Sequence, residues 1–174
     1  MRYFIVLGVI VTLTGCGLGP LKKRGGESTD KQQQDNQYGK DSTGKFSSGA
    51  SLDVSSLNDP NSPLSQRVLY FDLDSSQVKD EDRDIITVHA EFLAAHSDIM
   101  IVLEGHADER GSREYNVALG EKRAKAVKQL MTLQGVAESQ IQVISFGEER
   151  PVALGHDGAA WNLNRRVEIL YTGY

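Results

Sequence analysis

The sequence predicts an α/β domain with two layers, in which helices pack on one face of a single sheet. Short apolar runs of strand length alternate with longer segments whose apolar residues recur every three or four positions. The resulting order over residues 64–174 is β-α-β-α-β-(short helix)-β. The composition is that of a globular protein, with 39% hydrophobic and 25% charged residues. Strands that alternate with helices in one compact domain favour a layered arrangement.

The first half of this domain supplies two strands and a helix. Residues 67–73 (RVLYFDL) have the β-rich composition of a strand that ends in a turn. Acidic residues crowd the start of the next segment, as they do at helix N-termini. The apolar and histidine positions of that segment then follow helical spacing: Ile85, Ile86, His89, Phe92, Leu93 and His96. Residues 99–107 (IMIVLEGHA) form the second predicted strand.

The second half begins with a long helix. Ser112 is a suitable N-cap and Gly135 a suitable stop. Between them an apolar stripe recurs at steps of three and four: Val117, Gly120, Ala124, Val127 and Met131. Residues 141–147 form the third predicted strand, 155–164 a loop or short helix, and 165–171 the closing strand. Periodicity leaves the order of the strands in the sheet open.

The N-terminus has the pattern of an exported protein. Arg2 precedes an apolar run at residues 3–11, which is too short to span a bilayer but fits a signal peptide at residues 1–15. The run ends in LTGC, which resembles the bacterial lipobox, and Cys16 is the only cysteine of the chain. We therefore expect lipidation at Cys16. The residue that follows is Gly17 and not aspartate, which by the same resemblance implies the outer membrane.

A tether and an acidic domain follow the anchor. Residues 16–63 combine balanced charge with many Gly, Ser and Gln and few apolar residues, so they predict a lipidated flexible linker. The domain at residues 64–174 carries twelve Lys or Arg and eighteen Asp or Glu. A domain with this balance has no basic face for phosphates, so nucleic acid is not an expected partner.

Polar residues gather where the second strand passes into the long helix. Glu104, His106 and Asp108 alternate at the end of the strand, so they are expected on one face. Asn116, Leu119 and Arg123 form one stripe on the helix. Sheets of this class open a crevice at such a junction. Asp108 can accept hydrogen bonds from an ammonium group there, while Arg123 can bind a carboxylate through two parallel hydrogen bonds.

Other interpretations of these residues stay open. Asp108 and Arg123 can simply pair with each other, because surface ion pairs are common. Glu104, His106 and Asp108 can hold a metal ion, although no second ligand motif accompanies them. Glu104 and Asp108 can form the carboxylate pair of a glycosidase that cleaves the cell wall. The remaining histidines are expected on partly exposed faces: His89, His96 and His156.

Longer motifs connect the chain to a known family. VLYFDLDSSQV, VLEGHADERGSREYNVALGEKRAKAV and the segment from ISFGEERP to NRRVEILY, together with the lipobox, resemble the OmpA-like C-terminal domain family, and within it the peptidoglycan-associated lipoproteins. The resemblance covers residues 66–171. It implies a protein that is not an enzyme and that holds peptidoglycan non-covalently through the diaminopimelate of the stem peptide. The positions it assigns to this ligand are Leu73, Asp74, Asp108, Arg110, Asn116, Leu119, Arg123 and Arg165.

The same resemblance implies a location and partners. The expected place is the periplasmic face of the outer membrane, held by covalent lipid on Cys16 and with no other cofactor. A TolB-like periplasmic protein is the implied partner, in a Tol–Pal-type system that serves envelope integrity and cell division. Leu73 and Trp161 depart from the family pattern, in which aromatic residues, a phenylalanine and a tyrosine, are usual. A peptidoglycan hydrolase and a purely protein-binding envelope lipoprotein are the alternatives.

Overall fold

A computed structural model of the chain describes residues 48–173. The predicted signal peptide at residues 1–15, Cys16 and residues 16–47 of the predicted linker lie outside the described residues. Within residues 48–173 no helix has the length and apolar character needed to cross a membrane.

Four strands form one mixed sheet. They are β1 (Val68–Tyr70), β2 (Ile101–His106), β3 (Ile141–Gly147) and β4 (Arg166–Tyr171). Their order across the sheet is β1-β4-β2-β3. β4 runs antiparallel to both of its neighbours, whereas β2 and β3 run parallel. The final strand therefore lies between the first two, which periodicity could not predict, and the 3-residue β1 is shorter than the predicted strand at 67–73.

Three helices complete the domain: α1 (Arg83–Ala95), α2 (Arg113–Leu133) and α3 (Gly158–Asn164). The element order is the predicted one, and the Ser112 side chain caps α2 by accepting a hydrogen bond from the main-chain N–H of Tyr115. The alternate residues of the strands that face α1 and α2 are fully buried, which gives the two-layer α/β architecture. This core includes Leu69, Ile86, Phe92, Ile101, Leu103, Val127, Met131, Val167 and Ile169.

The folded part begins before the predicted boundary at residue 64. Short 3-10 turns at Gly49–Ser51, Val54–Asn58 and Pro63–Ser65 lie against the domain, and Leu57 and Leu64 enter its core. The main-chain N–H of Gly49 donates to Glu91 of α1 at 2.8 Å, which fixes this segment further. The prediction of a flexible linker up to residue 63 is therefore wrong for residues 48–63, because a few well-spaced leucines suffice to dock them.

The predicted burial is wrong for His89, which was expected on a partly exposed face, and for Val117, which was expected in an apolar stripe. His89 is fully buried on α1, where its Nε2 donates to the carbonyl of Gln66 at 2.8 Å and its Nδ1 accepts from the Tyr171 hydroxyl at 2.6 Å. A buried imidazole with both nitrogens satisfied behaves as a core residue. In the predicted stripe of α2, Val117 is exposed, whereas the other members are buried.

Two glycines let α2 approach the sheet closely. A Cβ atom added at Gly105 of β2 would lie 1.9 Å from the carbonyl oxygen of Gly120 in α2. A Cβ added at Gly120 would in turn lie 2.4 Å from the hydroxyl of Ser145. Only glycine leaves room for this contact between helix and strand backbones. The contact brings the first turns of α2 beside the end of β2.

Candidate functional site

All eight residues that the sequence assigned to a ligand line a single pocket of about 350 Å³. The pocket lies where β2 ends and α2 begins, and the loop after β1 closes its other side. Ala107, Gly111 and Tyr115 complete the lining. The structure therefore brings together Leu73, Asp74, Asp108, Arg110, Asn116, Leu119, Arg123 and Arg165.

Asp108 is a buried carboxylate between two guanidinium groups. Its side chain is 4% exposed. Oδ1 accepts from the main-chain N–H and the Nε of Arg110, both at 3.1 Å. Oδ2 accepts from Arg110 Nη2 at 2.7 Å and from Arg165 Nη1 at 3.0 Å. Asp108 is thus the one acidic group at the centre of a cationic cluster.

Arg123 is held by main-chain carbonyl groups and not by Asp108. Its Nε donates to Ser75 at 2.8 Å, and its Nη1 donates to His106 at 2.7 Å. Its Nη2 donates to Asp72 at 3.0 Å. The anticipated ion pair between Asp108 and Arg123 is therefore absent within the described residues. The side chain is completely buried at the floor of the pocket, and two of its five N–H groups have no partner among residues 48–173.

The surroundings of Asp108 and Arg123 shift the pKa values of both side chains. Burial opposes ionisation of Asp108, but hydrogen bonds from Arg110 and Arg165 outweigh that effect and hold the pKa of Asp108 below its usual value. Burial, followed by the nearby Arg165 cation, lowers the pKa of Arg123 to about 10. Both groups are consequently charged at neutral pH. Three guanidinium groups and two carboxylates line the pocket, so its lining carries a net positive charge.

Besides the bonds from Arg123, two further contacts fix the loop after β1 to the site. Arg165, at the end of α3, donates from Nε to the carbonyl of Phe71 at 3.0 Å, and its Nη2 donates to the side chain of Asn162. Asp74 accepts a hydrogen bond from the hydroxyl of Tyr115. The backbone of Asp74 has a φ of 55°, a left-handed conformation that aspartate tolerates in turns. Leu73, beside it, is 57% exposed at the rim of the pocket.

Asn116 and Leu119 lie on the same buried stripe of α2 as Arg123, as the helical spacing predicted. Asn116 is buried, and its Nδ2 donates to the carboxylate of Glu148 in the loop after β3. Leu119 and Ala107 give the pocket an apolar wall. Tyr115 and Glu148 were not among the predicted residues, because Tyr115 lies off the buried stripe and Glu148 is distant in sequence.

A second set of contacts surrounds the mouth of the pocket. The guanidinium group of Arg110 lies 4.1 Å from the ring centroid of Trp161, in cation–π geometry. The Nε1 of Trp161 donates to Glu109 at 2.8 Å, and Nδ1 of His156 contacts the same carboxylate at 2.7 Å. Trp161 therefore packs against Arg110 at the mouth of the pocket.

Glu104 and His106 lie outside this pocket. Their side chains lie 4.0 Å apart, with Glu168 of β4 at 3.9 Å from the imidazole. The strand ends at His106, and Asp108 beyond it lines the pocket with α2, so the prediction that all three share one face is wrong. Across residues 48–173 no three His, Cys, Asp or Glu side chains are grouped to hold a metal ion.

The sequence of this chain is similar to those of a known protein family. The profile of the OmpA family matches residues 70–165. A peptidoglycan-associated lipoprotein of Pseudomonas aeruginosa is 51% identical over 114 residues, which are 66% of this chain and 67% of that protein. One of Pseudomonas putida is 54% identical over 100 residues, 58% of this chain and 60% of that protein. The match thus covers about two thirds or less of these relatives.

The fold has a solved relative of the same kind. The crystal structure of the peptidoglycan-associated lipoprotein from Burkholderia pseudomallei is 49% identical, with a TM-score of 0.66, and the match covers 67% of this chain and 98% of that one. It confirms the predicted α/β class. The C-terminal domain of Helicobacter pylori MotB, 21% identical with a TM-score of 0.57, shares the fold alone. The chain therefore belongs to the OmpA family, a structural and non-enzymatic family, as its motifs predicted.

Proposed function

We propose that this protein binds peptidoglycan non-covalently, through the free end of diaminopimelate in the stem peptide, and so tethers the outer membrane to the cell wall. The observation that carries the proposal is the pocket at the junction of β2 and α2, where the buried carboxylate of Asp108 and the guanidinium group of Arg123 line the same cavity. The names of the relatives agree with a peptidoglycan ligand. The pocket has a volume of about 350 Å³, which is large enough to hold the end of a diaminopimelate side chain.

The charges of the pocket match those of an amino-acid terminus. The free end of diaminopimelate carries an ammonium beside a carboxylate. Asp108 attracts the ammonium, and the two N–H groups that Arg123 retains point to a role in binding the carboxylate. Leu119 and Ala107 pack against the methylene chain between the two ends of the ligand. Each part of the ligand thus has a partner of the right chemistry.

A wall hydrolase is a weaker explanation of the same residues. A glycosidase needs one carboxyl group that stays protonated near neutral pH and gives its proton to the leaving group. The pKa of Asp108 is lowered, which opposes that role. Glu104, the other member of the suggested pair, does not line the pocket.

The anchor and the protein partner extend the proposal. Lipid on Cys16 would hold the domain on the periplasmic face of the outer membrane, since several acyl chains give stable attachment. A TolB-like protein is the proposed partner, in a Tol–Pal-type system that acts in envelope integrity and cell division. Leu73 and Tyr115 offer exposed apolar surface at the rim of the pocket. A partner seated there would compete with the wall.

The direct test is retention on purified sacculi. The wild-type protein should sediment with sacculi, and free meso-diaminopimelate should release it. Asp108→Asn keeps the shape of the side chain but removes its charge, so retention should fall at least about tenfold. Asp98→Asn is the matched control, because it makes the same change of charge at an exposed position that does not line the pocket.

The outcomes separate the three classes of function. Full retention of Asp108→Asn would reject this site. Release of soluble muropeptides by the folded wild-type protein would establish a hydrolase. Failure of the wild-type protein to sediment, with capture of a TolB-like protein intact, would establish a purely protein-binding lipoprotein.

Attachment and partner binding need separate experiments. Cys16→Ser should leave the protein soluble in the periplasm, and continued fractionation with the outer membrane would contradict the lipid anchor. Capture of a TolB-like protein should weaken as meso-diaminopimelate is added. Capture that is independent of diaminopimelate would place the partner on another surface.

A further inference from the structure

Arg110 occupies the place at Asp108 that the ammonium of a ligand needs. We propose that Arg110 is a built-in counter-ion that closes the empty site and is displaced when an ammonium group arrives. The inference rests on the proposed function, and it gives Arg110 a role different from that of a ligand contact. It also makes Arg110 a determinant of specificity, because only a ligand that carries a cation can replace it.

The hydrogen bonds of Asp108 leave no room for another donor. A carboxylate has about four acceptor positions, two on each oxygen. The main chain and Nε of Arg110 take both positions on Oδ1. Arg110 Nη2 and Arg165 Nη1 take those on Oδ2. An ammonium can therefore reach Asp108 only if one of these donors leaves.

Arg165 is not the donor that leaves. It is buried, and besides Asp108 it donates to the carbonyl of Phe71 and the side chain of Asn162. Moving it would leave the buried carbonyl of Phe71 without a partner, which is costly, and would also break the bond to the exposed Asn162. Its place at the end of α3 also fixes the start of β4.

The side chain of Arg110 can leave Asp108 at a lower cost than that of Arg165. It is 37% exposed, and among residues 48–173 its other main contact is the ring of Trp161. Its guanidinium group can turn into solvent without leaving a buried group unpaired, apart from Asp108 itself. Its departure frees one position on each oxygen of Asp108, while the main-chain N–H of residue 110 stays bound. Two adjacent acceptors then face the incoming ammonium.

Trp161 and Glu109 hold Arg110 in the closed position. The ring of Trp161 covers the guanidinium group at 4.1 Å, and Glu109 fixes the indole through its Nε1 at 2.8 Å. Because the closed form competes with the ligand, the apparent affinity is reduced by the fraction of molecules in which Arg110 covers Asp108. Removing the cation should therefore raise affinity for a ligand that carries an ammonium.

The test uses two ligands that differ only in their amino groups. Meso-diaminopimelate carries two ammonium groups, whereas pimelate has the same carbon chain and carboxylates without them. Arg110→Met keeps an unbranched stem against Trp161 but removes the charge. We expect this variant to bind diaminopimelate about fivefold more tightly than the wild type, the size typical of a partly exposed ion pair, with no gain for pimelate. Arg83→Met controls for the change in net charge.

Tryptophan fluorescence gives a second readout. Trp161 is the only tryptophan of the chain, so its emission reports on the departure of Arg110. Diaminopimelate should change the emission of the wild-type protein, and this change should be largely lost in Arg110→Met. Pimelate should leave the wild-type emission unchanged.

The outcomes distinguish the two proposals. Equal or weaker binding of diaminopimelate by Arg110→Met, with binding by the wild type intact, would overturn the counter-ion role and make Arg110 a ligand contact or a bystander. If neither protein binds diaminopimelate or sacculi, the proposed function fails, and the counter-ion role fails with it.

Discussion

The Nη1 of Arg123 donates to the main-chain carbonyl of His106 at 2.7 Å. This bond joins α2 to the last residue of β2, and the other two bonds of the same guanidinium group reach the carbonyls of Asp72 and Ser75 in the loop after β1. Arg123 therefore connects three segments of the chain that form the pocket. Its buried charge is compensated by these carbonyl groups, so Arg123 shapes the pocket.

Arg123→Lys should destabilise the domain although it preserves the charge. An ammonium cannot reach three carbonyl groups in the plane of a guanidinium, so at least one buried acceptor loses its partner. We expect the free energy of unfolding to fall by roughly 2–4 kcal/mol, measured by urea denaturation. Lys122→Ala, at the exposed neighbouring position, should change it by less than about 0.5 kcal/mol. Equal stabilities for Arg123→Lys and the wild type would contradict the structural role of the guanidinium group.

Binding should be insensitive to pH between about 8 and 5. The folded pKa of Asp108 lies below its usual value of 3.8, so the ionised form persists throughout this range. Whatever stability the ionised group contributes is present above that usual value and is lost only as the pH falls through the folded pKa. Calorimetric titration with meso-diaminopimelate at pH 7.5 and 5.5 should give affinities within about twofold of each other. An affinity that falls with a midpoint near pH 6 would show that another group controls the site.

Acid should weaken the fold before it discharges the site. Burial lowers the pKa of His89 to about 4. Burial, followed by the nearby Arg166, also lowers the pKa of His106 to about 4. The carboxylate of Glu168 opposes this shift, and Arg150 adds to it. A lowered folded pKa gives stability that is complete above the unfolded value of about 6.5 and is lost as the pH falls towards 4. Each histidine can contribute on the order of 3 kcal/mol to this loss.

The test of this effect is the slope of stability with pH. His89→Gln removes one titrating group, so its free energy of unfolding should decline less steeply between pH 6.5 and 4.5 than that of the wild type. Gln129→Ala, at an exposed position and with no titrating group involved, should keep the wild-type slope. Parallel slopes in His89→Gln and the wild type would mean that other groups govern the acid response.

The sequence predicted the elements well because their signals are local. Ser112 caps α2 and helical spacing placed Asn116, Leu119 and Arg123 on one buried stripe, as observed. The sequence also predicted a crevice where the second strand passes into the long helix, and the pocket lies at that junction. These features depend on residues that are close to one another in the sequence. Periodicity and capping residues predict structure over such short ranges.

The partners of the site residues depended on distant parts of the chain. Spacing suggested that Asp108 faces Arg123, but Asp108 pairs with Arg165 from the end of α3 and with the adjacent Arg110. Arg123 donates its hydrogen bonds to main-chain carbonyl groups. Every residue has such a group, so the pattern of side chains could not predict these partners. The burial of His89 depends on Tyr171, 82 positions away. Such contacts follow from the insertion of β4 between β1 and β2, which local periodicity does not encode.

Gly105→Ala should disturb both the fold and the site. The new methyl group would lie 1.9 Å from the backbone of Gly120, so α2 must move away from β2. We expect a loss of roughly 2–3 kcal/mol in the free energy of unfolding, and weaker retention on sacculi because α2 carries Asn116 and Arg123. Gly158→Ala is a matched control, since nothing lies within 4 Å of a Cβ there. If Gly105→Ala were as stable and as well retained as Gly158→Ala, the close contact of helix and strand could not be what positions the pocket.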